Sequence, residues 1–179
     1  TLKGVLEDFP NRKCSVSLLH GDLSEGQMKA LYEHDKVKCL INIAHGEGFG
    51  LPLFEAARSA LPIVTIPWSG QLDFLKVDGE NLFTAVDYEL KPVADDAVWE
   101  GVLQKDSKWA YADKESYQEC LNYVLNNWEK CNEQATILQD SIDTKFRAEV
   151  LYEIFCNSIY QPTEEESTWL NSVSNLEIT

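Results

Sequence analysis

Residues 37–43 (VKCLINI) form an almost continuous apolar run that leads into a glycine-rich turn and then into Pro52. Such a run is the signature of a strand buried on both faces of a parallel sheet. Pro52 suits the first position of a helix, where a backbone N–H is not needed. The spacing predicts a helix from Pro52 to about Ala60, with Leu53, Ala56, Ala57 and Ala60 on one face, and its alanines let it lie close against the sheet. Residues 63–66 and 82–86 read as further buried strands, separated by a short helix over residues 69–75. Repeated β-then-α units with short connections predict an α/β fold, a doubly wound (Rossmann-like) parallel sheet that takes ligands at the carboxyl ends of its strands.

The flanks fit the same alternation. Leu2, Val5, Leu6 and Phe9 recur at helical spacing, and residues 14–19 are expected to be an earlier strand ending at Gly21 and Asp22. Ser24 with Gln27 makes a capping box, with Leu23 and Met28 at the hydrophobic-staple positions, so a helix is predicted to about His34. After Val86 the chain reads as a polar connection. Two long helices are then predicted, one carrying the stripe Tyr117, Cys120, Leu121, Val124, Leu125 and Trp128, the other spanning roughly residues 133–160. Residues 1–160 are expected to be one domain and residues 161–179 an acidic tail.

The 179 residues carry 15 Lys plus Arg against 30 Asp plus Glu, a net charge of −15. A surface of that sign repels phosphate backbones and anionic lipids, which argues against nucleic acid as a partner. Residues 1–75 hold 9 acids and 7 bases, a balance of −2, so this part of the chain can still receive an anion. Uncharged apolar runs such as residues 39–44 are far short of the roughly 18–20 residues a membrane span needs, so no transmembrane segment is expected. Five scattered cysteines without a C-x-x-C pair fit reduced thiols, and with no signal peptide at the start the expected location is cytoplasmic, or at the membrane periphery. His20, His34 and His45 are too scattered for a metal cluster.

The segment HGEGFGLPLFEAA, residues 45–57, lies between a predicted strand and a helix N-terminus. Gly46, Gly48 and Gly50 allow close backbone approach. A helix N-terminus can hold a phosphate on unpaired N–H groups without any Lys or Arg. The same glycines also suit a tight turn that binds nothing. No G-x-x-x-x-G-K-[ST] loop or G-x-G-x-x-G fingerprint is present, so the usual ATPase and dinucleotide readings lack support. Glu47 lies in the turn and Glu55 in the first part of the helix, about 200° around from Leu53 and hence away from the packed face. A carboxylate there accepts hydrogen bonds from sugar hydroxyls, or is a helix residue facing solvent. An anion site flanked by two such carboxylates describes a nucleotide sugar.

That segment, with LPIVTIPWSGQLDFL after it and VSLLHGDLSEGQMKALY before it, closely resembles the C-terminal, donor-binding half of family 4 retaining glycosyltransferases of the GT-B fold. The resemblance covers nearly all of residues 1–160 and is most specific over residues 14–75. It implies that Glu47, the catalytic candidate, binds the donor's hexose hydroxyls near the reacting carbon and that Glu55 binds the ribose hydroxyls. Gly48, Phe49, Gly50 and Leu51 would form the diphosphate turn, the last three offering backbone N–H groups, and Gly21 and Asp22 would lie near the nucleobase. His45 would touch the donor or only shape the turn. Trp68, before Ser69 and Gly70, would contact the ligand or pack in the core, and Trp109 would be structural. The donor is a nucleoside diphosphate sugar, no cofactor or metal is implied, and the acceptor is a carbohydrate or related molecule.

Family members also carry two further upstream strands, with an Arg and a Lys that clamp the diphosphate, and an acceptor-binding N-terminal domain. The resemblance therefore implies that the present chain is a piece of a longer enzyme and is inactive by itself. Alternatives are a non-catalytic nucleotide-sugar-binding module and a GT-B-type nucleotide-sugar epimerase. A glycosidase using Glu47 and Glu55 as an acid pair fits poorly, because one turn beside a helix dipole offers no evident raised-pKa acid.

Overall fold

The computed structural model describes residues 2–161 and 163–174. In chain order the elements are α1 (Leu2–Glu7), α2 (Glu25–Tyr32), β1 (Leu40–Asn42), α3 (Leu51–Arg58), β2 (Ile63–Thr65), α4 (Leu72–Leu75), β3 (Lys76–Val77), β4 (Glu80–Asn81), β5 (Thr84–Ala85), β6 (Tyr88–Pro92), β7 (Lys108–Ala112), α5 (Lys114–Asn126), α6 (Trp128–Lys145), α7 (Ala148–Ile159) and α8 (Glu164–Ser174). Strands β1, β2 and β5 form a small parallel sheet in that order, with Leu40 opposite Ile63 and Val64 opposite Thr84. The fold is thus mixed α/β around a three-stranded parallel sheet.

Burial follows from strand alternation in β2, whose three residues are all buried. Ile63 joins a cluster with Leu53, Ala56 and Ala57 of α3 and Leu138 and Ile142 of α6. Its neighbour Val64 points the other way, into a second cluster with Ile66, Val86, Ala110, Cys120, Val124 and Cys131. The small face of α3 works as its alanines suggest: Leu53, Ala56 and Ala57 are fully buried. Side chains reinforce the packing. Gln139 donates to the Arg58 carbonyl at 2.6 Å, and the Trp128 indole donates to the Lys38 carbonyl at 3.0 Å.

Several expected elements differ. The helix predicted to reach Ala60 stops at Arg58, because Leu61 N–H turns back to the Ala56 carbonyl and Ala60 N–H to that of Ala57, with Ala60 at φ 50°. Residues 14–19 are exposed and have no ladder partner among the described residues, so they are not a strand; an extended segment needs a neighbouring edge to become one. Gly21 and Asp22 accordingly do not sit at a strand end. The expected polar connection after Val86 contains an antiparallel ribbon, β6 with β7, pairing Tyr88 with Ala112 and Pro92 with Lys108.

The second long helix is interrupted. Phe146 leaves the helical path to lie against Phe54 at 5.2 Å between ring centroids, and Arg147 is extended, so α6 ends and α7 begins. The apolar stripe is also split: Trp128 opens α6, and Leu125 of α5 faces solvent. Part of the expected tail is helical. Thr163 and Glu166 form a reciprocal cap at the start of α8, with Thr163 N–H donating to Glu166 Oε2 at 2.9 Å and Glu166 N–H to Thr163 Oγ1 at 3.3 Å. Pro162 and residues 175–179 of that expected tail lie outside the described residues. No described helix is long and apolar enough to cross a membrane.

Candidate functional site

The site is built where β1 gives way to α3. Asn42, the last residue of β1, donates from Nδ2 to Glu47 Oε1 at 2.8 Å while its Oδ1 accepts from Ala44 N–H at 2.8 Å. One amide thereby fixes both the turn and the half-buried Glu47 carboxylate. Behind it, Phe49 packs its ring among Phe54, Phe74 and Phe146 at 5.0–6.4 Å between centroids, which anchors the turn to the first core cluster. Gly50 caps α3 at φ 88°, ψ 54°, a left-handed conformation that favours glycine. A Cβ there would lie 3.2 Å from Leu53 and 3.3 Å from Gln71. The exposed Leu51 N–H has no backbone acceptor among the described residues, so the positive end of α3 keeps an open donor.

A second loop clamps this turn. Ser69 Oγ donates to the Glu47 carbonyl at 2.7 Å, and Gly70 N–H donates to the same oxygen at 3.1 Å. The approach is so close that a Cβ on Gly70 would collide with the Gly48 carbonyl. Ser69 itself is held at φ 78°, a conformation that costs a non-glycine residue energy and that its hydroxyl bond helps maintain.

The β6–β7 ribbon forms the opposite wall. Ala110 N–H donates to the His45 carbonyl at 3.2 Å, and His45 Nδ1 lies 2.8 Å from the Ala110 carbonyl. A carbonyl only accepts, so Nδ1 carries the hydrogen and Nε2 is the remaining polar atom of the ring. Trp109 stacks on the imidazole at 4.8 Å and 9°, and Tyr111 touches it at 4.4 Å. Between these walls is an open cleft of about 430 Å³ lined by His45, Glu47, Gly48, Trp68, Ser69, Lys108 and Trp109, among others. It combines a fixed carboxylate, an ammonium group, aromatic walls and a glycine turn, which suits a polar, hydroxyl-bearing ligand with an anionic part.

The structure therefore brings His45, Glu47 and Gly48 to one cleft, with Phe49, Gly50 and Leu51 continuing into α3. Glu55 lies apart, exposed on α3, where its Oε2 accepts from the Tyr32 hydroxyl at 3.3 Å. Burial and, next, the Glu55 charge and its hydrogen bond raise the Tyr32 pKa above the ordinary phenol value. Gly21 and Asp22 are exposed in the segment before α2 and do not line the cleft. Trp68 lines the cleft and also packs against the second core cluster, so both of its expected roles are geometrically open.

The sequence reading missed Asn42, Tyr111 and Lys108, and it assigned Trp109 to structure alone. Asn42 carried a signal, as the one amide inside an apolar run. The other three come from a ribbon far along the chain and had none. Among the described residues, no group of three or more His, Cys, Asp or Glu is arranged to hold a metal ion. No protein-family model, curated protein or solved structure matches the chain.

Proposed function

We propose that this chain is the donor-binding part of a hexosyltransferase, a doubly wound GT-B half that takes a nucleoside diphosphate sugar. The observation that carries the reading is the Glu47 carboxylate, fixed by Asn42 at the end of β1 and beside the open N-terminus of α3. In this reading Glu47 accepts hydrogen bonds from the hexose hydroxyls and orients the anomeric carbon. The turn and helix-end N–H groups of Phe49, Gly50 and Leu51 hold the diphosphate and stabilise the charge it gains as it departs. Glu55 accepts from the ribose hydroxyls, with Tyr32 keeping its carboxylate in one rotamer. The acceptor, a carbohydrate or related hydroxyl compound, enters from a further domain.

The test is titration of the chain with UDP- and GDP-hexoses. Wild type is expected to bind at least one of them, and Glu47→Ala to weaken that binding about tenfold or more, the worth of a hydrogen bond to a charged group. Unchanged affinity in Glu55→Ala removes the ribose assignment. No binding by wild type to any of the donors removes the reading as a whole.

A further inference from the structure

We propose that the Trp68 indole N–H donates to a hydroxyl oxygen of the ligand's sugar ring, which makes Trp68 a specificity residue of the cleft; this rests on the donor-site reading above. Most of the side-chain atoms that the cleft leaves uncommitted are acceptors. Glu47 keeps Oε2, since Oε1 is taken by Asn42, and a neutral His45 imidazole keeps Nε2, since Nδ1–H is spent on the Ala110 carbonyl. The Ser69 hydroxyl has given its hydrogen to the Glu47 carbonyl. Such groups accept from hydroxyls, but a hydroxyl oxygen also calls for a donor. Lys108 carries a strongly hydrated point charge, so among the described residues lining the cleft the Trp68 indole is the neutral side-chain donor.

The indole nitrogen lies at the floor of the cleft. A Cβ built on Gly46 would be 3.7 Å from Trp68 Nε1 and 3.5 Å from Ser69 Oγ. Gly46 joins His45 to Glu47 and lines the cleft with them, so Nε1 sits against the stretch of backbone that carries both acceptors. The absent side chain at residue 46 leaves that N–H open to a ligand. A half-buried indole N–H ordinarily finds a partner, as Trp128 does in the Lys38 carbonyl at 3.0 Å, whereas that of Trp68 has none among the described residues. The ring is already held, packed on the second core cluster and 5.9 Å from Tyr88 between centroids, so little freedom is lost when its N–H engages. A sugar presents neighbouring hydroxyls: one oxygen accepts from Trp68 while another hydroxyl donates to Glu47 Oε2. A ring lacking the first hydroxyl leaves the N–H unpaired and is disfavoured.

The experiment is calorimetric titration of the 179-residue chain with UDP-glucose, UDP-galactose and GDP-mannose, and with UDP and GDP alone, with the unfolding midpoint of each variant as a check on the fold. Wild type is expected to bind at least one of the nucleotide sugars. Trp68→Phe keeps a ring in the second cluster and removes the N–H; it should weaken binding of that nucleotide sugar about threefold to tenfold and leave the bare diphosphate unchanged. Gly46→Ala sets a methyl at ordinary contact distance from the indole nitrogen, should act in the same way, and carries the test if Trp68→Phe lowers the midpoint. Nucleotide-sugar affinity unchanged in the variant that carries the test overturns the assignment of Trp68 while the donor-site reading stands. Equal losses for nucleotide sugar and bare diphosphate overturn it too, because Trp68 then shapes the site without touching the sugar. Failure of wild type to bind any of the nucleotide sugars overturns the donor-site reading, and the assignment of Trp68 with it.

Discussion

Gly70 and Ser69 show how little room a single position has near the site. The Gly70 N–H and the Ser69 hydroxyl share the Glu47 carbonyl, and the Gly48 carbonyl occupies the space a side chain at residue 70 would need. Gly70→Ala must push one backbone segment off the other, which is expected to cost roughly 1–3 kcal/mol, as overpacking does. Gly26, inside α2 with nothing within 4 Å of its missing Cβ, is the matched contrast. Gly26→Ala should gain about 0.5–1 kcal/mol from lower unfolded-chain entropy alone. Urea unfolding of the two variants measures both signs, and equal effects would show that the 47–70 clamp is not formed in solution. Tyr32 adds a pH signature. Its raised pKa means the folded chain keeps the phenol proton after the unfolded chain has begun to lose it. That part of the stability is complete below the ordinary phenol value and is lost as pH rises through the higher folded value. Between pH 9 and 11 wild type should therefore lose more stability than Tyr32→Phe, read from urea midpoints.

At the level of elements, what the sequence made legible was local. The Ser24–Gln27 capping box forms as its residues demand, with Ser24 N–H donating to Gln27 Oε1 at 2.9 Å and Gln27 N–H to Ser24 Oγ at 3.4 Å. The apolar runs give β1 and β2, and the glycine turn with Pro52 gives the entry to α3. Other local signals went unread. Asp78 and Gly79, both at positive φ, make the tight turn between β3 and β4, and Thr163 with Glu166 caps α8. The β6–β7 ribbon was not legible in the same way. Residues 88–91 alternate apolar and polar, but their partners lie about 20 positions on, across a polar loop, and pairing over that distance leaves no local mark. Lys108 and Trp109 of the cleft lining come from this ribbon, and Tyr111 beside them touches His45, which is why the turn that carries Glu47 was legible in the sequence and Lys108 and Tyr111 were not. The break between α6 and α7 likewise depends on Phe146 finding Phe49 and Phe54 some 90 residues earlier.

Across the whole molecule, the five cysteines report on whether the second core cluster is closed, because none is in a disulfide and they differ in burial. Cys14 and Cys156 are exposed, Cys39 is half-buried, and Cys120 and Cys131 are buried in the second cluster. The thiolate is the reactive form, and its population falls as the pKa rises. Burial pushes the Cys39 thiol up, with Cys131 adding to the effect. Burial also raises Cys120, where the nearby Asp87 and Glu119 charges outweigh part of the relief from a Ser116 hydrogen bond. Cys120 additionally donates to the Ala85 carbonyl of β5 at 3.3 Å, so exposing it means parting α5 from the sheet. A disulfide reagent at neutral pH is therefore expected to take Cys14 and Cys156 rapidly, the half-buried Cys39 more slowly, and Cys120 and Cys131 only at the rate at which the molecule opens. Adding urea below the unfolding midpoint should leave the fast phase unchanged and speed the slow one. Mass spectrometry of the labelled chain assigns each phase to its residues. Early labelling of Cys120 or Cys131 would mean that α5 and α6 do not cover the sheet in solution, and with them would go the support for β7 and the wall that carries Lys108.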